Sequence, residues 1–144
     1  MWKYKGMDQW DTISLHDCRI TTICAKDKDI LLGFAEGYWI VETNPQNPYG
    51  KTLRTGEAEL AFTGAKCEKV EVDDKEMLWG EFCQKINSEN WEFECITEEF
   101  QEGKCVFWGW VWAKGNPIHQ NCHLHFSFDH RIYHWNLILE DRPW

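Results

Sequence analysis

Three histidines close to the end of the chain are spaced so that they can chelate a metal. Cys122-His123-Leu124-His125-Phe126-Ser127-Phe128 and Arg131-Ile132-Tyr133-His134-Trp135-Asn136-Leu137 flank Asp129-His130. On strands, Leu124, Phe126 and Phe128 share one face, as do Tyr133, Trp135 and Leu137. A two-residue turn at Asp129-His130 puts both apolar sets on the same side, because a one-residue slip inverts a strand's faces. It pairs Phe126 with Tyr133 and Leu124 with Trp135, and sets His125 opposite His134 with His123 diagonal to it. Two histidines at i and i+2 with a third across can hold Zn²⁺ and leave one position open for water, which is hydrolase chemistry. The plainer reading is a metal-free polar outer face of a hairpin.

Trp108, Trp110 and Trp112 form a second constellation, within Cys105-Val106-Phe107-Trp108-Gly109-Trp110-Val111-Trp112. Exposed, they would make a stacking platform for a sugar ring or a base. The run is apolar in both phases, however, and that predicts a central strand covered on both sides with the tryptophans packed in the core. A curled sheet would let some of them line a cavity. His16-Asp17-Cys18 brings together a base, a carboxylate and a thiol, but alternation sends Asp17 to the opposite face from His16 and Cys18, a poor relay. Gly50-Lys51-Thr52 lacks the upstream glycine of a phosphate loop, where Pro45 stands. No serine-hydrolase elbow, zinc-protease or dinucleotide motif is present.

The elements that would position these residues read mainly as strands. His16–Cys24, Ile30–Phe34, Tyr38–Glu42, Glu57–Phe62, Cys67–Val72 and Trp91–Thr97 are rich in β-formers or alternate. Glu36-Gly37 is expected to turn Ile30–Phe34 back onto Tyr38–Glu42, setting Phe34 against Trp39. Asp73 with Glu76 suggests a capped helix start, and Leu78, Phe82 and Ile86 carry helical spacing to about Asn87. The expectation is one α+β domain spanning residues 1–144, with about eight or nine strands in a mainly antiparallel, strongly bent sheet or partly closed barrel, and one main helix.

At 144 residues with ten tryptophans and eight phenylalanines, the chain is long enough to bury a substantial core. Seven cysteines without a C-x-x-C and a first segment without an apolar signal region suggest reduced thiols in the cytoplasm. No window approaches the ~18 apolar residues of a membrane span. A formal net charge of -9 argues against direct nucleic-acid binding and for a neutral or basic partner, a basic protein first among them. Glu57, Glu59, Glu71, Glu92 and Glu94 fall on the outward phases of strands whose other phase is apolar. If those strands are neighbours, their carboxylates form a single docking face.

His16-Asp17-x-x-Ile20, with Gly37-Tyr38-Trp39 behind it, resembles small uncharacterised bacterial proteins of β-rich fold, some of them similar to immunity proteins that neutralise a toxin domain. The resemblance covers about the first third of the chain and implies non-enzymatic binding inside the cell. Three functions are therefore open. The first is an immunity-type inhibitor that occludes a basic protein partner, such as a toxin domain. The second is a metal-dependent hydrolase using His123, His125 and His134 with Zn²⁺. The third is a small-ligand carrier with a tryptophan-lined cavity.

Overall fold

Period-two alternation runs through most of the chain, and the computed structural model, which describes residues 1–88 and 90–144, turns it into sheet. The first half forms β1 (Tyr4–Met7), β2 (Ile13–Ser14), β3 (Cys18–Ile20), β4 (Thr22–Lys26), β5 (Asp29–Phe34), β6 (Trp39–Ile40), β7 (Leu53–Thr55) and β8 (Ala58–Thr63). Then come β9 (Lys66–Val72), β10 (Lys75–Met77), α1 (Trp79–Asn87), β11 (Trp91–Gln101) and β12 (Lys104–Ala113). The chain closes with β13 (Gln120–Ser127), β14 (His130–Trp135) and β15 (Ile138–Pro143). The fold is mainly antiparallel sheet with one helix among the described residues.

Three sheets result: a five-stranded one ordered β1-β14-β8-β5-β4, a six-stranded one ordered β10-β9-β13-β12-β11-β3, and a four-stranded one ordered β15-β7-β6-β2. They are not closed into a barrel. The two larger sheets meet through their inner faces, where the Phe62 ring of β8 lies 5.2 Å from Phe126 of β13 and 6.1 Å from Phe107 of β12. Leu32, Leu60, Phe93, Phe107, Leu124, Tyr133 and Trp135 are all fully buried in that one cluster. Arg131 also enters it, its guanidinium carbon 4.1 Å from the Phe100 ring centroid. The Arg131 Nε and Nη1 groups have no hydrogen-bond partner among the described residues, so aromatic faces are what compensates the buried cation.

Two expected hairpins are absent because the chain crosses between sheets at those turns. Asp129 leads β13 in the six-stranded sheet to β14 in the five-stranded one, so Phe126 pairs with Cys67 and Tyr133 with Leu60 and Gly6. Likewise β5 pairs with β4 and β8, while β6 pairs with β2 and β7, and Phe34 faces Ala58 rather than Trp39. In the last two long strands the apolar phase of each does point inward; what differs is the partner strand.

The helix also starts later than its apparent cap. Asp73 and Asp74 both have positive φ (50° and 64°) and make the two-residue turn that pairs Val72 with Lys75. That is the left-handed pair of a type I′ hairpin, which Asp tolerates. α1 instead begins after Leu78, without a side-chain cap, and buries Phe82 and Ile86. The Asp73 side chain serves the sheet rather than the helix. Its carboxylate accepts from the Asn121 backbone N–H at 3.1 Å and from Gln120 Nε2 at 3.0 Å, fixing the start of β13.

Candidate functional site

The expected inward placement of the tryptophans is reversed. β12 is indeed central, between β11 and β13, but Cys105, Phe107, Gly109 and Val111 take the core. Trp108, Trp110 and Trp112 stand half-exposed on the outer face. The physical reason is space: the inner face meets the phenylalanines of the opposite sheet, and in that phase Gly109 leaves room for the Glu94 backbone, which a Cβ would meet. The principal depressions of the surface do not bring the three indoles together; Trp108 alone lines one of them. The indoles form an open aromatic row.

Cross-strand pairing sets what surrounds that row, since directly opposed residues of antiparallel strands share a face. One row reads Glu76, Glu71, His123, Trp108, Thr97 across five strands. The next reads Lys69, His125, Val106, Glu99. On the other side Asn121, Trp110, Glu94 and Arg19 align, and Trp112 lies opposite Glu92. The Trp108 indole N–H donates to Asn121 Oδ1 at 3.2 Å, and the Trp108 and Trp110 rings sit 5.6 Å apart. His119, from the β12–β13 loop, stacks on Trp112 at 4.4 Å.

Thr97 and Glu99 are on this face only because β11 bulges. The register shifts between Cys95 and Thr97, so the phase that carries Glu92 and Glu94 outward continues through Thr97 and Glu99 instead of Ile96 and Glu98. Glu98 consequently turns inward opposite Phe107, and its enclosed carboxyl is pushed up to about 8 by burial. The bulge is latched by the His16-Asp17 segment. An imidazole N–H at His16 Nδ1 donates to the Ile96 carbonyl at 2.8 Å, and the Asp17 backbone N–H donates to the Cys95 carbonyl at 2.8 Å. The Trp39 indole in turn donates to the His16 carbonyl at 2.8 Å, joining the two halves of the sequence motif. His16 and Asp17 therefore position the edge of the site, and the Asp17 carboxylate lies 3.3 Å from His16 Nε2 rather than on the opposite face from it.

The three candidate zinc ligands are not brought together. His123 and His125 lie side by side on the six-stranded sheet, whereas His134 lies on the five-stranded sheet between Lys5 and Glu59. Its Nδ1 faces Glu59 Oε1 at 3.5 Å and Trp2 stacks against it. Among the described residues, no three His, Cys, Asp or Glu side chains form a group able to hold a metal. The five candidate carboxylates are divided too: Glu59 belongs to the five-stranded sheet, with Glu57 in the bend just before its strand β8, and Glu71, Glu92 and Glu94 belong to the six-stranded one.

The electrostatics of the aromatic face are local. His125 Nε2 is 3.0 Å from Glu71 Oε1 and Lys69 Nζ is 3.3 Å from Glu71 Oε2. The hydrogen bond from His125 is the main cause holding the Glu71 carboxyl below its ordinary range. Arg19 lies with its guanidinium carbon 5.2 Å from the Trp112 centroid, its Nη1 3.5 Å from Glu92 Oε2 and its Nε 3.5 Å from Glu94 Oε1. Glu99 is exposed and joins no ion pair among the described residues. The residues missed from sequence are Arg19, Thr97, Glu99 and Asn121; Phe100, apolar in the phase opposite to the expected one, was the only sign of the bulge.

The chain matches no family model, no curated protein and no solved structure. Among the described residues no helix is long and apolar enough to cross a membrane.

Proposed function

We propose that this chain is a non-enzymatic binding protein whose docking surface is the outer face of the six-stranded sheet, and that its partner is a basic protein surface. One observation carries the reading: three half-exposed tryptophans occupy the middle of a sheet, with Glu92, Glu94 and Glu99 along one side and Glu71 along the other. Aromatic anchors at the centre with a charged rim are how protein interfaces concentrate affinity, and tryptophan is prominent among their hot spots. The net charge of -9 steers a cationic partner toward the molecule and repels nucleic acid. A toxin domain that acts on nucleic acid has the required basic surface, in keeping with the immunity-like resemblance.

The test is capture of a partner followed by reconstitution from purified components, with association measured at low and high salt. A basic partner is expected, with an association rate that falls as salt rises and an affinity lost on Trp110→Ala. An interaction insensitive to salt, or one surviving Trp108→Ala with Trp110→Ala, overturns the proposal. Salt-independent binding of a neutral oligosaccharide at the same indoles would replace the partner with a sugar.

A further inference from the structure

Resting on that docking reading, we infer that the depression over Trp108 is a receptor for one arginine side chain of the partner, built on the plan that Arg19 already occupies over Trp112.

The two positions are related by register. Trp112 is opposite Glu92 on β11, with Glu94 two residues further along the same face. Trp108 is opposite Thr97, with Glu99 two residues further along. Each indole thus has a carboxylate in the same diagonal relation. The first position is filled by the chain itself, because β3 pairs with β11 only along Phe93–Cys95 and brings Arg19 beside Glu94. Past Cys95 that strand has ended, and nothing in the β3 register supplies a cation for Thr97 and Glu99.

What remains is a depression of about 420 Å³, lined by Thr97, Glu99, Val106, Trp108, His123 and His125. The side-chain chemistry selects its occupant. The indole face attracts a cation, and a planar guanidinium both stacks on it and bonds a carboxylate, which an ammonium does less well. Glu99 supplies the uncompensated negative charge. Lys104, diagonal to Glu99 on β12, is exposed and forms no ion pair with it among the described residues. Further across the sheet, Lys69 is tied to Glu71 and Glu76 at 3.3 and 3.8 Å, and His125 is tied to Glu71. The Trp108 indole is held by Asn121, so little ordering remains to be done on binding.

The probe is a short tri-arginine amide, with a tri-serine amide of equal length as control. Binding is followed through the indole N–H resonances of the nitrogen-15-labelled protein at low salt. The Trp108 signal is expected to shift on titration with tri-arginine and not with tri-serine. Glu99→Gln should weaken that binding up to about fivefold, the size of one exposed ion-pair contact, the Trp108 face being unchanged. Thr97→Glu, which restores the directly opposed carboxylate of the Arg19 arrangement, should tighten it by a similar factor. Both positions are exposed, and unchanged unfolding midpoints separate loss of the site from loss of the fold. No shift at Trp108, or equal affinity in the wild type and in Glu99→Gln, overturns the receptor. That failure is distinct from failure of the docking face, which is judged by the salt dependence and Trp110→Ala response of the partner itself.

Discussion

Glu98 accepts the backbone N–H of Leu15 through Oε1 at 3.0 Å, with its carboxyl enclosed beneath the β11 bulge. Burial is the main cause that raises this carboxyl from 4.5 to about 8, with the Leu15 hydrogen bond and the charge of Arg131 acting the other way. In the unfolded chain the same group loses its proton near 4.5, so between those values the folded state binds more protons. Stability contributed by the protonated form is therefore present below about pH 4.5 and lost as pH rises toward 8. Each pH unit crossed costs at most about 1.4 kcal/mol. Glu98→Gln keeps the acceptor oxygen and is expected to flatten the decline in urea midpoint between about pH 5 and 8. An unchanged decline in Glu98→Gln would show that another group causes it.

The outer placement of the tryptophans separates two neighbouring residues. Phe107→Ala should lower stability by about 3–5 kcal/mol, as large aromatic truncations in cores do. Trp108→Ala, half-exposed, should cost about 1 kcal/mol or less. Denaturant unfolding of both variants distinguishes the two positions, and equal losses would contradict the assigned faces.

Gly109 is opposite Cys95 at the bulge, and a Cβ there meets the Glu94 backbone. Gly109→Ala is expected to cost about 1–3 kcal/mol through overpacking. It should also disturb the amide signals of Glu94 to Thr97 more than those of β13. An alanine accepted without loss of stability would mean that the strands are not held so closely.

Arg19 and Trp112 provide a reciprocal check on the proposed arginine receptor. Arg19→Ala vacates the position over Trp112 and leaves Glu92 and Glu94 without their shared cation. Tri-arginine amide should then shift the Trp112 indole signal as well as that of Trp108, while stability falls by about 1 kcal/mol or less, as for an exposed ion pair. Failure of Trp112 to respond would show that an indole flanked by these carboxylates is not enough to hold a guanidinium.

The cysteines should differ sharply in reactivity. Cys18 is buried and its thiol is pushed up to about 12, chiefly by desolvation; Cys67 and Cys83 are pushed to about 12 and about 11 for the same reason. Cys24 is exposed on the outer phase of β4. A thiol reagent at neutral pH is expected to modify Cys24 first, read by mass spectrometry of the digested protein. Faster labelling of Cys18 would require a local opening that the hydrogen bonds around His16 do not suggest.

Strand faces were legible from the sequence because alternation is a local property: a residue's phase depends only on its neighbours along the chain. That is why alternation alone assigns Leu124, Phe126, Tyr133 and Trp135 to inward faces and Glu92 and Glu94 to outward ones, whichever strands pair. Three things were not local. Which strands pair is decided by the closing of distant segments, so His125 met Lys69 and His134 met Glu59 rather than each other. Which side of a doubly apolar strand is buried depends on the opposite sheet, where Phe62 meets Phe107 and leaves the tryptophans outside. And the bulge that turns Glu98 in and Glu99 out is stabilised by His16 and Asp17, eighty residues away from Ile96 in the case of His16. Residue types supplied the aromatic and acidic groups; only the tertiary structure set them beside one another.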